Sequence, residues 1–424
     1  MNYRETEIYL FGRSRLGMKF GLERAEQLLE AAGNPQRHFR TIHVVGSNGK
    51  GSTTAMLSEM LLHLGFRVGR MTSPHLLHFR ERAAVDNRWI TEDAVVRFVE
   101  IYRDAIEEFG ATFFEVTTVL SAWYFRECGV EFVAAEAGLG GRLDATRLME
   151  GECTILTSVE LEHVKILGPT EAAIASEKVS IAGEGTTLIA YRQSPEVEQV
   201  IELAVRAGDL QRLVPEPAPA APLPGVHQRR NAGLALAAIL RCSGRGRGEV
   251  MEAFGSMCST LRWAGRLDLR EGAPSILFDV AHNPGSMGYL LEFLKGTGRK
   301  LPLPAVVGFL EDKMWREMVR QLRGVLEPVV ATTPLNERRL PAETLAAELS
   351  DAGIEVLCRD DIGEALTAGR NLATDLLVVT GSFFVVGEAM NQAWMNGWIR
   401  LPERGSEQEQ VLDTFPLVDT PLGT

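Results

Sequence analysis

Short apolar runs alternate with segments of helical periodicity along almost the whole chain. In the first half, the helical segments repeat apolar residues three and four positions apart, as Met56, Leu57, Met60 and Leu61 do. The apolar runs of this half, which we predict to be strands, cover residues 41–46, 67–72, 131–138, 153–159 and 186–191. The helical segments lie near residues 21–32, 52–65, 93–109, 114–127, 170–182, 195–207 and 228–241. This alternation predicts an α/β fold with a mostly parallel sheet that helices cover on both faces.

A second series of strand-like runs predicts a smaller, doubly wound α/β domain. These runs cover residues 275–280, 305–310, 327–332, 354–358 and 375–380. Because 424 residues exceed an ordinary single core, we expect domains over 1–265 and 266–402, and a loosely ordered tail over 403–424. A helical segment follows the Pro-rich residues 215–225, which we therefore interpret as a long loop within the first domain.

Composition and charge argue against several classes of protein. The net charge of −12, from 44 basic and 56 acidic residues, disfavours general nucleic-acid binding but allows a local cationic site for an anionic ligand. No apolar run approaches the roughly 20 residues of a membrane span, and the N-terminal segment lacks an apolar signal core. The five cysteines are scattered without a CxxC pair, which is typical of reduced thiols. We therefore expect a cytoplasmic protein that does not associate with membranes.

The strongest chemical signal is a glycine-rich turn between a predicted strand and a predicted helix. Glycines let backbone N–H groups approach phosphate oxygens, the helix N-terminus favours negative charge, and a lysine adds a full positive charge. The match to the strict phosphate-loop pattern is imperfect, because Val44 replaces its first glycine and Gly51 separates Lys50 from Ser52. We predict that this turn binds a nucleoside triphosphate. Its candidate residues are Gly46, Ser47, Asn48, Gly49, Lys50, Gly51, Ser52 and Thr53.

Polar segments follow other predicted strands, at the sheet edge where α/β proteins bind ligands. Glu136 ends an apolar run ahead of a glycine turn, as a Mg²⁺ ligand would, although a plain loop explains it equally well. His163 is either a metal ligand or an ordinary histidine. Lys178 is either a solvated helical lysine or a partly buried one with a lowered pKa. Asn231 either contacts a phosphate or a base, or simply lies in the first turn of a helix.

Eleven segments in collinear order, spread over residues 17–390, resemble the folylpolyglutamate synthase/dihydrofolate synthase family, a branch of the Mur ligase superfamily. The segments are GSNGKGST (46–53), TSPHLLHFRER (72–82), TFFEVTT (112–118), EAGLGGRLDAT (136–146), ELEHVKILG (160–168), SEKVSIA (176–182), GVHQRRNA (225–232), WAGRLD (263–268), DVAHNPGSM (279–287), GFLEDK (308–313) and GSFFVVGE (381–388).

The resemblance implies an N-terminal Mur ligase-like domain that contains the phosphate loop, and a C-terminal glutamate-ligase domain. It also implies ATP-dependent amide bond formation, in which ATP phosphorylates a substrate carboxylate and the amine of L-glutamate displaces the phosphate. The expected substrates are ATP, L-glutamate and dihydropteroate or a reduced folate, and the expected cofactor is Mg²⁺ as two ions. We favour a bifunctional enzyme and expect a monomer.

The resemblance also assigns a role to individual positions. The residues matching catalytic groups are Lys50, Lys178 and His282, and the matching lysine is carbamylated in the family. The ATP contacts outside the loop fall on Asn231, Arg266 and Asp279. The metal ligands fall on Ser73, Glu136 and His163. The pterin side falls on Thr112, Phe114 and Asp144.

Three positions depart from the family pattern. Ser47 stands where threonine is common, Glu162 where aspartate is usual, and Val280 where glycine is common.

Two other functions stay open. One alternative is a Mur-like ligase that joins another amino acid to another acid, which the segments at 72–82 and 140–146 argue against. The other is a non-catalytic nucleotide-binding protein, which the complete set of catalytic residues argues against.

Overall fold

The computed structural model describes residues 1–17 and 21–399 of the chain, in which two β-sheets are flanked by helices. The strands are β1 (Arg40–Val45), β2 (Val68–Met71), β3 (Ala83–Val85), β4 (Arg88–Trp89), β5 (Phe132–Glu136), β6 (Gly151–Leu156), β7 (Thr186–Ala190), β8 (Leu210–Leu213), β9 (Asp268–Arg270), β10 (Ser275–Asp279), β11 (Leu303–Val307), β12 (Leu326–Ala331), β13 (Val356–Cys358) and β14 (Leu376–Thr380). The helices are α1 (Tyr3–Gly12), α2 (Glu23–Ala31), α3 (Lys50–His63), α4 (Glu92–Phe109), α5 (Phe113–Glu127), α6 (Val164–Leu167), α7 (Glu171–Val179), α8 (Pro195–Arg206), α9 (His227–Cys242), α10 (Arg247–Thr260), α11 (Pro284–Gly296), α12 (Trp315–Leu322), α13 (Ala342–Asp351), α14 (Ile362–Leu372) and α15 (Phe383–Met395). Short 3₁₀ helices cover Arg13–Leu16, Pro35–His38, Phe79–Arg82 and Ala145–Leu148.

The first sheet has the strand order β4-β3-β2-β5-β1-β6-β7-β8. The six strands from β2 to β8 in this order run parallel, whereas β3 and β4 add an antiparallel hairpin at one edge. Since β1 lies between β5 and β6, the loops that follow these three strands emerge side by side at the carboxyl edge of the sheet.

The second sheet has the order β13-β12-β11-β14-β10-β9. Its strands are parallel except β9, which pairs with β10 in the antiparallel sense. The connection from α10 to β9 contains the predicted domain division at 265/266, which stays a prediction.

Alternate residues along the strands enter hydrophobic cores on opposite faces of each sheet. On β5, Val133 and Ala135 pack against α4 and α5, whereas Phe132 and Ala134 belong to the core formed with α3, α9 and α10. The second sheet is likewise covered, by α11, α12 and α13 on one face and by α14 and α15 on the other. This arrangement confirms the predicted α/β class, with parallel sheets buried between helices.

Every strand and helix predicted from the pattern is present, with ends shifted by a few residues. The short strands β3, β4, β8 and β9 and the helices α1, α6 and α10 were not predicted, and because of β9 the second sheet has six strands rather than five. In α1 only Thr6 and Leu10 are buried, which leaves little apolar periodicity to detect. None of the described helices is long and apolar enough to cross a membrane. The predicted tail over residues 403–424 lies outside the described residues.

Candidate active site

The predicted phosphate loop lies between the end of β1 and the first turn of α3. Gly46 and Gly49 have φ values of 151° and 86°, in the left-handed region that favours glycine. Gly49 is the N-cap of α3, so the first backbone N–H groups of this helix point toward the loop. The Nζ atom of Lys50 donates hydrogen bonds to the carbonyl oxygens of Gly46 (3.0 Å) and Ser47 (3.2 Å). The loop therefore combines free helix N–H groups with an ammonium, as an anion site requires.

The segment that follows β6 braces this loop from the side. The backbone N–H of Ser47 donates to the carbonyl of Ser158 (2.6 Å), and the Ser47 hydroxyl accepts from the N–H of Glu160 (3.0 Å). The N–H of Asn48 donates to the Ser158 hydroxyl (3.1 Å). These bonds fix the position of residues 157–163 relative to the loop.

Glu136 ends β5 beside the start of α3. Its Oε2 atom accepts a hydrogen bond from the N–H of Ser73 (3.1 Å), which follows β2. A Cβ atom added to Gly51 would lie 3.5 Å from Glu136 Oε2 and 3.4 Å from Arg266 Nη2, so both side chains pack against the helix start. Burial raises the pKa of Glu136, while Lys50 and the Ser73 N–H act in the opposite direction. A cation beside this carboxylate would remove the cost of burying its charge.

His163 lies at the start of α6, and its Nε2 atom is 3.2 Å from the Nζ atom of Lys313, which follows β11. Burial and the charge of Lys313 together lower the pKa of His163 to about 4. The imidazole is therefore neutral at pH 7, in the form that can bind a metal. In residues 1–17 and 21–399, no three His, Cys, Asp or Glu side chains meet as a metal site. A metal ion held by Ser73, Glu136 and His163 would thus take one hydroxyl, one carboxylate and one imidazole from these residues. Its other ligands would be oxygen atoms of the substrates or of water.

Lys178 is buried, with 2% of its side chain exposed, and connects the phosphate loop to the segment after β6. Its Nζ atom donates to the Gly46 carbonyl (2.8 Å) and to Glu162 Oε1 (2.8 Å). Burial lowers the pKa of Lys178 to about 8, although Glu162 acts in the opposite direction. Burial alone would raise the pKa of Glu162, but Lys178 and Lys50 reverse this effect and hold it well below its usual value.

The second sheet contributes Asp279, at the end of β10, and His282, just before α11. Asp279 accepts hydrogen bonds from the N–H groups of Leu267 (2.8 Å) and Ala281 (2.9 Å), and burial raises its pKa to about 6. The Nδ1 atom of His282 lies 3.0 Å from the Val280 carbonyl, and burial lowers the pKa of His282 to about 3. The neutral His282 ring therefore bears its proton on Nδ1 and leaves Nε2 as an acceptor.

Polar and aromatic side chains join the loops of the two sheets. The side-chain amides of Asn48 and Asn283 pair through two hydrogen bonds, of 3.1 and 2.9 Å. The rings of His227, at the start of α9, and Tyr289, in α11, stack with their centroids 4.5 Å apart. Together with the contact between His163 and Lys313, these pairs hold the carboxyl edges of the two sheets against one cavity.

This cavity has a volume of about 1040 Å³. Every candidate residue predicted from the sequence lines it except Thr53, which is fully buried in the first turns of α3. The cavity therefore gathers the phosphate loop, a carboxylate, two neutral histidines and a buried lysine from segments far apart in the sequence.

Comparison with known proteins decides the family. Over 426 aligned residues the chain is 31% identical to the dihydrofolate synthase/folylpolyglutamate synthase of Bacillus subtilis. The alignment covers 91% of this chain and 98% of that protein. The chain belongs to the dihydrofolate synthase/folylpolyglutamate synthase family. Residues 265–383 match the domain family described as Mur ligase, glutamate ligase domain.

Solved structures of this family have the same fold. The structure of E. coli FolC in complex with DHPP and ADP superposes with a TM-score of 0.83 at 28% identity, covering 92% of this chain and 98% of that one. A bifunctional folylpolyglutamate synthase/dihydrofolate synthase with Mn, AMPPNP and L-glutamate bound superposes with a TM-score of 0.81 at 26% identity, covering 91% and 97%. The predicted resemblance and the predicted Mur ligase-like fold are thereby confirmed.

The three residues predicted for the pterin side of this synthase-family site organise the wall of the cavity around α5 and β5. Thr112 caps α5 together with Glu115, whose carboxylate accepts from the Thr112 N–H (2.7 Å). Phe114 packs against Gly138, where an added Cβ would clash with the ring. Asp144 accepts from the N–H groups of Leu139 (2.8 Å) and Thr146 (3.0 Å), so its oxygens order the turn between them.

The three departures from the family pattern each have a structural consequence. The Ser47 hydroxyl bonds to the backbone of Glu160, so the shorter residue keeps a bracing role. Glu162 reaches the buried Lys178 and pairs with it. Val280 lines the cavity and would contact a Cβ atom added to Gly265 at 3.0 Å, so its side chain packs toward the connection between the sheets.

Sequence reasoning did not identify three residues that line this cavity. Lys313 lies in the family segment 308–313 directly after a predicted strand, and that position could have signalled it. His227 precedes the predicted Asn231 in the same family segment. Tyr289 has no local signal, because only the approach of α11 to α9 brings it to the cavity.

Proposed function

We propose that this chain is an ATP-dependent ligase that adds L-glutamate both to dihydropteroate and to the glutamate tail of reduced folates. Membership of the dihydrofolate synthase/folylpolyglutamate synthase family supports this activity. The observation that carries it is the single cavity in which the phosphate loop meets Glu136, His163 and Lys178 of the first sheet and Asp279, His282 and Lys313 of the second.

The phosphate loop would hold the β- and γ-phosphates of ATP. The helix N-terminus and Lys50 supply positive charge there, and Arg266 lies beside the same helix start. Gln228 donates to the Ser52 hydroxyl (3.4 Å) and accepts from Asn231 (2.9 Å), so the start of α9 is positioned beside the loop. Asp279, beside Arg266, would face the ribose from the second sheet.

Ser73, Glu136 and His163 would hold the Mg²⁺ ion. Its chemistry would be to neutralise phosphate charge, so that a negatively charged substrate carboxylate can approach the γ-phosphate. The donor set fits, because Glu136 and Ser73 offer hard oxygen atoms and His163 is neutral at pH 7. Lys50 and Arg266 would stabilise the charge that develops during phosphoryl transfer.

In the first half of the reaction, a carboxylate oxygen of the acceptor attacks the γ-phosphorus of ATP and ADP leaves. The second half would occur against the loops of the second sheet. The glutamate amine then attacks the acyl carbon, phosphate leaves, and the amine loses a proton. Neutral His282 offers its Nε2 lone pair to this amine, and Lys313 offers a cation to a carboxylate of the incoming glutamate. Closure of the loops around the acyl phosphate would exclude water, which would otherwise hydrolyse it.

Carbamylation of Lys178 and a second Mg²⁺ ion belong to the same proposal. A carbamate forms when a neutral amine attacks carbon dioxide and releases a proton, so the lowered pKa of Lys178 favours it. The carboxylate of Glu162, 2.8 Å from the Nζ atom, would repel the resulting anion unless a cation joined them. Incubation with ¹³C-labelled carbon dioxide and MgATP should give a carbamate resonance in the wild type that Lys178→Met lacks.

The test of function is glutamate ligation by the purified full chain with MgATP and L-glutamate. Phosphate release would be measured with dihydropteroate, with a reduced folate, and without an acceptor, and the products would be weighed by mass spectrometry. We expect one added glutamyl unit on each acceptor. Gain on dihydropteroate alone would remove the folate-tail activity from the proposal, and gain on neither would overturn it.

The expected monomer and the cytoplasmic location remain predictions of this proposal. Light scattering coupled to size-exclusion chromatography would test the first, and fractionation of the source cells would test the second.

A further inference from the structure

Two of the five cysteines meet in the interior, away from the cavity. Cys153 lies in β6 and Cys242 is the last residue of α9, and their Sγ atoms are 3.1 Å apart. The distance exceeds a disulfide bond of about 2.05 Å by only about 1 Å. The sequence gives no sign of this pair, because 89 positions separate the two residues.

Both side chains belong to the hydrophobic core between the first sheet and the layer formed by α3, α9 and α10. Their exposed fractions are 0% for Cys153 and 5% for Cys242. Cys153 pairs with Ile42 on β1 and with Thr187 on β7, so it is held at the centre of the sheet. Close packing therefore keeps the two sulfur atoms together without a covalent bond.

The surroundings prepare one sulfur to act as the nucleophile. The hydrogen-bond contact with Cys153 lowers the pKa of Cys242, and Arg241 and Arg40 act in the same direction, whereas burial and Glu152 act against them. The guanidinium of Arg40 donates to the Cys242 carbonyl (2.6 Å) and forms an ion pair with Glu152. Cys242 is followed by exposed residues from Gly244 onward, so its side of the pair lies nearer to solvent.

We propose that Cys153 and Cys242 form an intramolecular disulfide by exchange with a small-molecule disulfide of the glutathione class. The Cys242 thiolate attacks one sulfur of the oxidant and releases a thiolate, which leaves a mixed disulfide on Cys242. Cys153 then attacks the Cys242 sulfur, and its proton goes to the second released thiolate. The two protein thiols are oxidised, and one oxidant molecule is reduced to two thiols.

The disulfide would join the C-terminal end of α9 to the central strand β6. Because it closes a loop of 89 residues, it would restrict the unfolded chain strongly and raise the unfolding temperature by roughly 5 °C. The other end of α9 carries Gln228 and Asn231 beside the phosphate loop, so the bond would also fix a helix that lines the cavity.

The test uses the full chain incubated with oxidised or with reduced glutathione. Remaining thiols would be alkylated in denaturant, and cysteine peptides would be identified by mass spectrometry. We expect a linked peptide pair containing Cys153 and Cys242, lighter by two hydrogen atoms, and a higher unfolding temperature that dithiothreitol reverses. Cys258→Ser is the matched control and should behave like the wild type, whereas Cys242→Ser should lose both effects.

Mapping of the wild-type protein decides the question even if a variant at the buried Cys153 fails to fold. Alkylation of both Cys153 and Cys242 after an oxidation that modifies Cys258 would overturn the proposal. A linked pair that leaves the unfolding temperature unchanged would overturn the stabilising role assigned to it.

Discussion

Replacing Glu162 by glutamine should destabilise the ligand-free protein, because it removes the negative charge that faces the buried ammonium of Lys178. The Lys178 Nζ atom lies 2.8 Å from Glu162 Oε1 and 2.8 Å from the Gly46 carbonyl, with 2% of the side chain exposed. Glutamine has nearly the same shape, so the change isolates the charge. The variant leaves a buried cation with polar but uncharged partners.

The size of the effect follows from the geometry. Two unit charges 2.8 Å apart attract by about 6 kcal/mol at an effective dielectric constant of about 20. The loss has a ceiling, because unpaired Lys178 can release its proton, and from the wild-type folded pKa of about 8 this costs only about 1.4 kcal/mol at pH 7. Removing one partner of a buried ion pair commonly costs about 3–5 kcal/mol. Because Lys178 can lose its charge in this way, we expect the free energy of unfolding to fall by only about 1.4 kcal/mol at pH 7.

The same reasoning predicts how the deficit changes with pH. In the wild type, burial lowers the pKa of Lys178 to about 8, so from pH 7 to 8 the unfolded state keeps this proton while the folded state goes from mostly protonated to about half protonated. In Glu162→Gln the folded pKa of Lys178 is lower still, so the unfolded state binds the proton and the folded state does not. Stability then rises from pH 7 to 8 by about 1.4 kcal/mol in the variant, compared with about 0.4 kcal/mol in the wild type. The gap between the two proteins should narrow by about 1 kcal/mol from pH 7 to 8.

The assay is urea unfolding followed by tryptophan fluorescence, in buffer purged of carbon dioxide so that Lys178 stays an amine. The matched control is Glu202→Gln, because Glu202 pairs with Arg206 at 3.3 Å on the surface, where the side chains are 55% and 76% exposed. The control should change stability by less than about 0.5 kcal/mol. The double variant Glu162→Gln/Lys178→Met should recover much of the loss, since no charge remains buried. A loss at pH 7 in Glu162→Gln that is no larger than that of the control, or a gap that ignores pH, would refute the reasoning.

Three further predictions concern activity and acid stability. Lys50→Ala should lower kcat/KM about 10²–10³-fold, because it removes charge stabilisation at the phosphate loop. Lys295→Ala, on the exposed side of α11, is the control and should leave kcat/KM unchanged in the same assay of steady-state phosphate release. Equal values for the two variants would remove Lys50 from the site. His163→Ala should raise the Mg²⁺ concentration needed for half-maximal ligation, and an unchanged Mg²⁺ titration would exclude it as a ligand. Burial lowers the folded pKa of His43 to about 4 and of His282 to about 3, so as the pH drops the unfolded state binds protons before the folded state does. The free energy of unfolding should therefore fall between about pH 6.5 and about pH 4. Urea midpoints that stay level across this range would contradict the prediction.

The fold was predictable wherever burial imposed a long, regular pattern. β1, β5 and β6 are covered on both faces, so each appears in the sequence as a continuous apolar run. β3 and β4 have three and two residues, which is too short for a period to register. β9 borders the second sheet with Asp268 and Arg270 paired to each other, so its polar sequence hides a strand. Local pattern thus predicts the interior strands and the edge strand β13, and misses β4, β8 and β9 at the other edges.

The site was predictable to the extent that its residues follow strands. Lys50, Glu136 and Asp279 stand at or just beyond the carboxyl ends of β1, β5 and β10, where parallel sheets bring loops together. The partnership between Glu162 and Lys178 was not predictable, because it depends on the packing of α7 against the segment after β6. The stack of His227 on Tyr289 joins helices on different sheets, and no spacing in the sequence encodes it.

The contacts between the two sheets explain why this chemistry needs both. Each sheet presents polar loops at one edge, but neither holds a complete set of groups for phosphoryl transfer and amine attack. Asn48 pairs with Asn283, and His163 meets Lys313, so the phosphate loop and the expected metal ligand each contact the sheet that would present glutamate. A change at either pair would alter how the halves align before it altered any reacting atom. Affinity for ATP and affinity for glutamate should therefore respond together to substitutions at Asn283, although this residue was not predicted to touch either substrate.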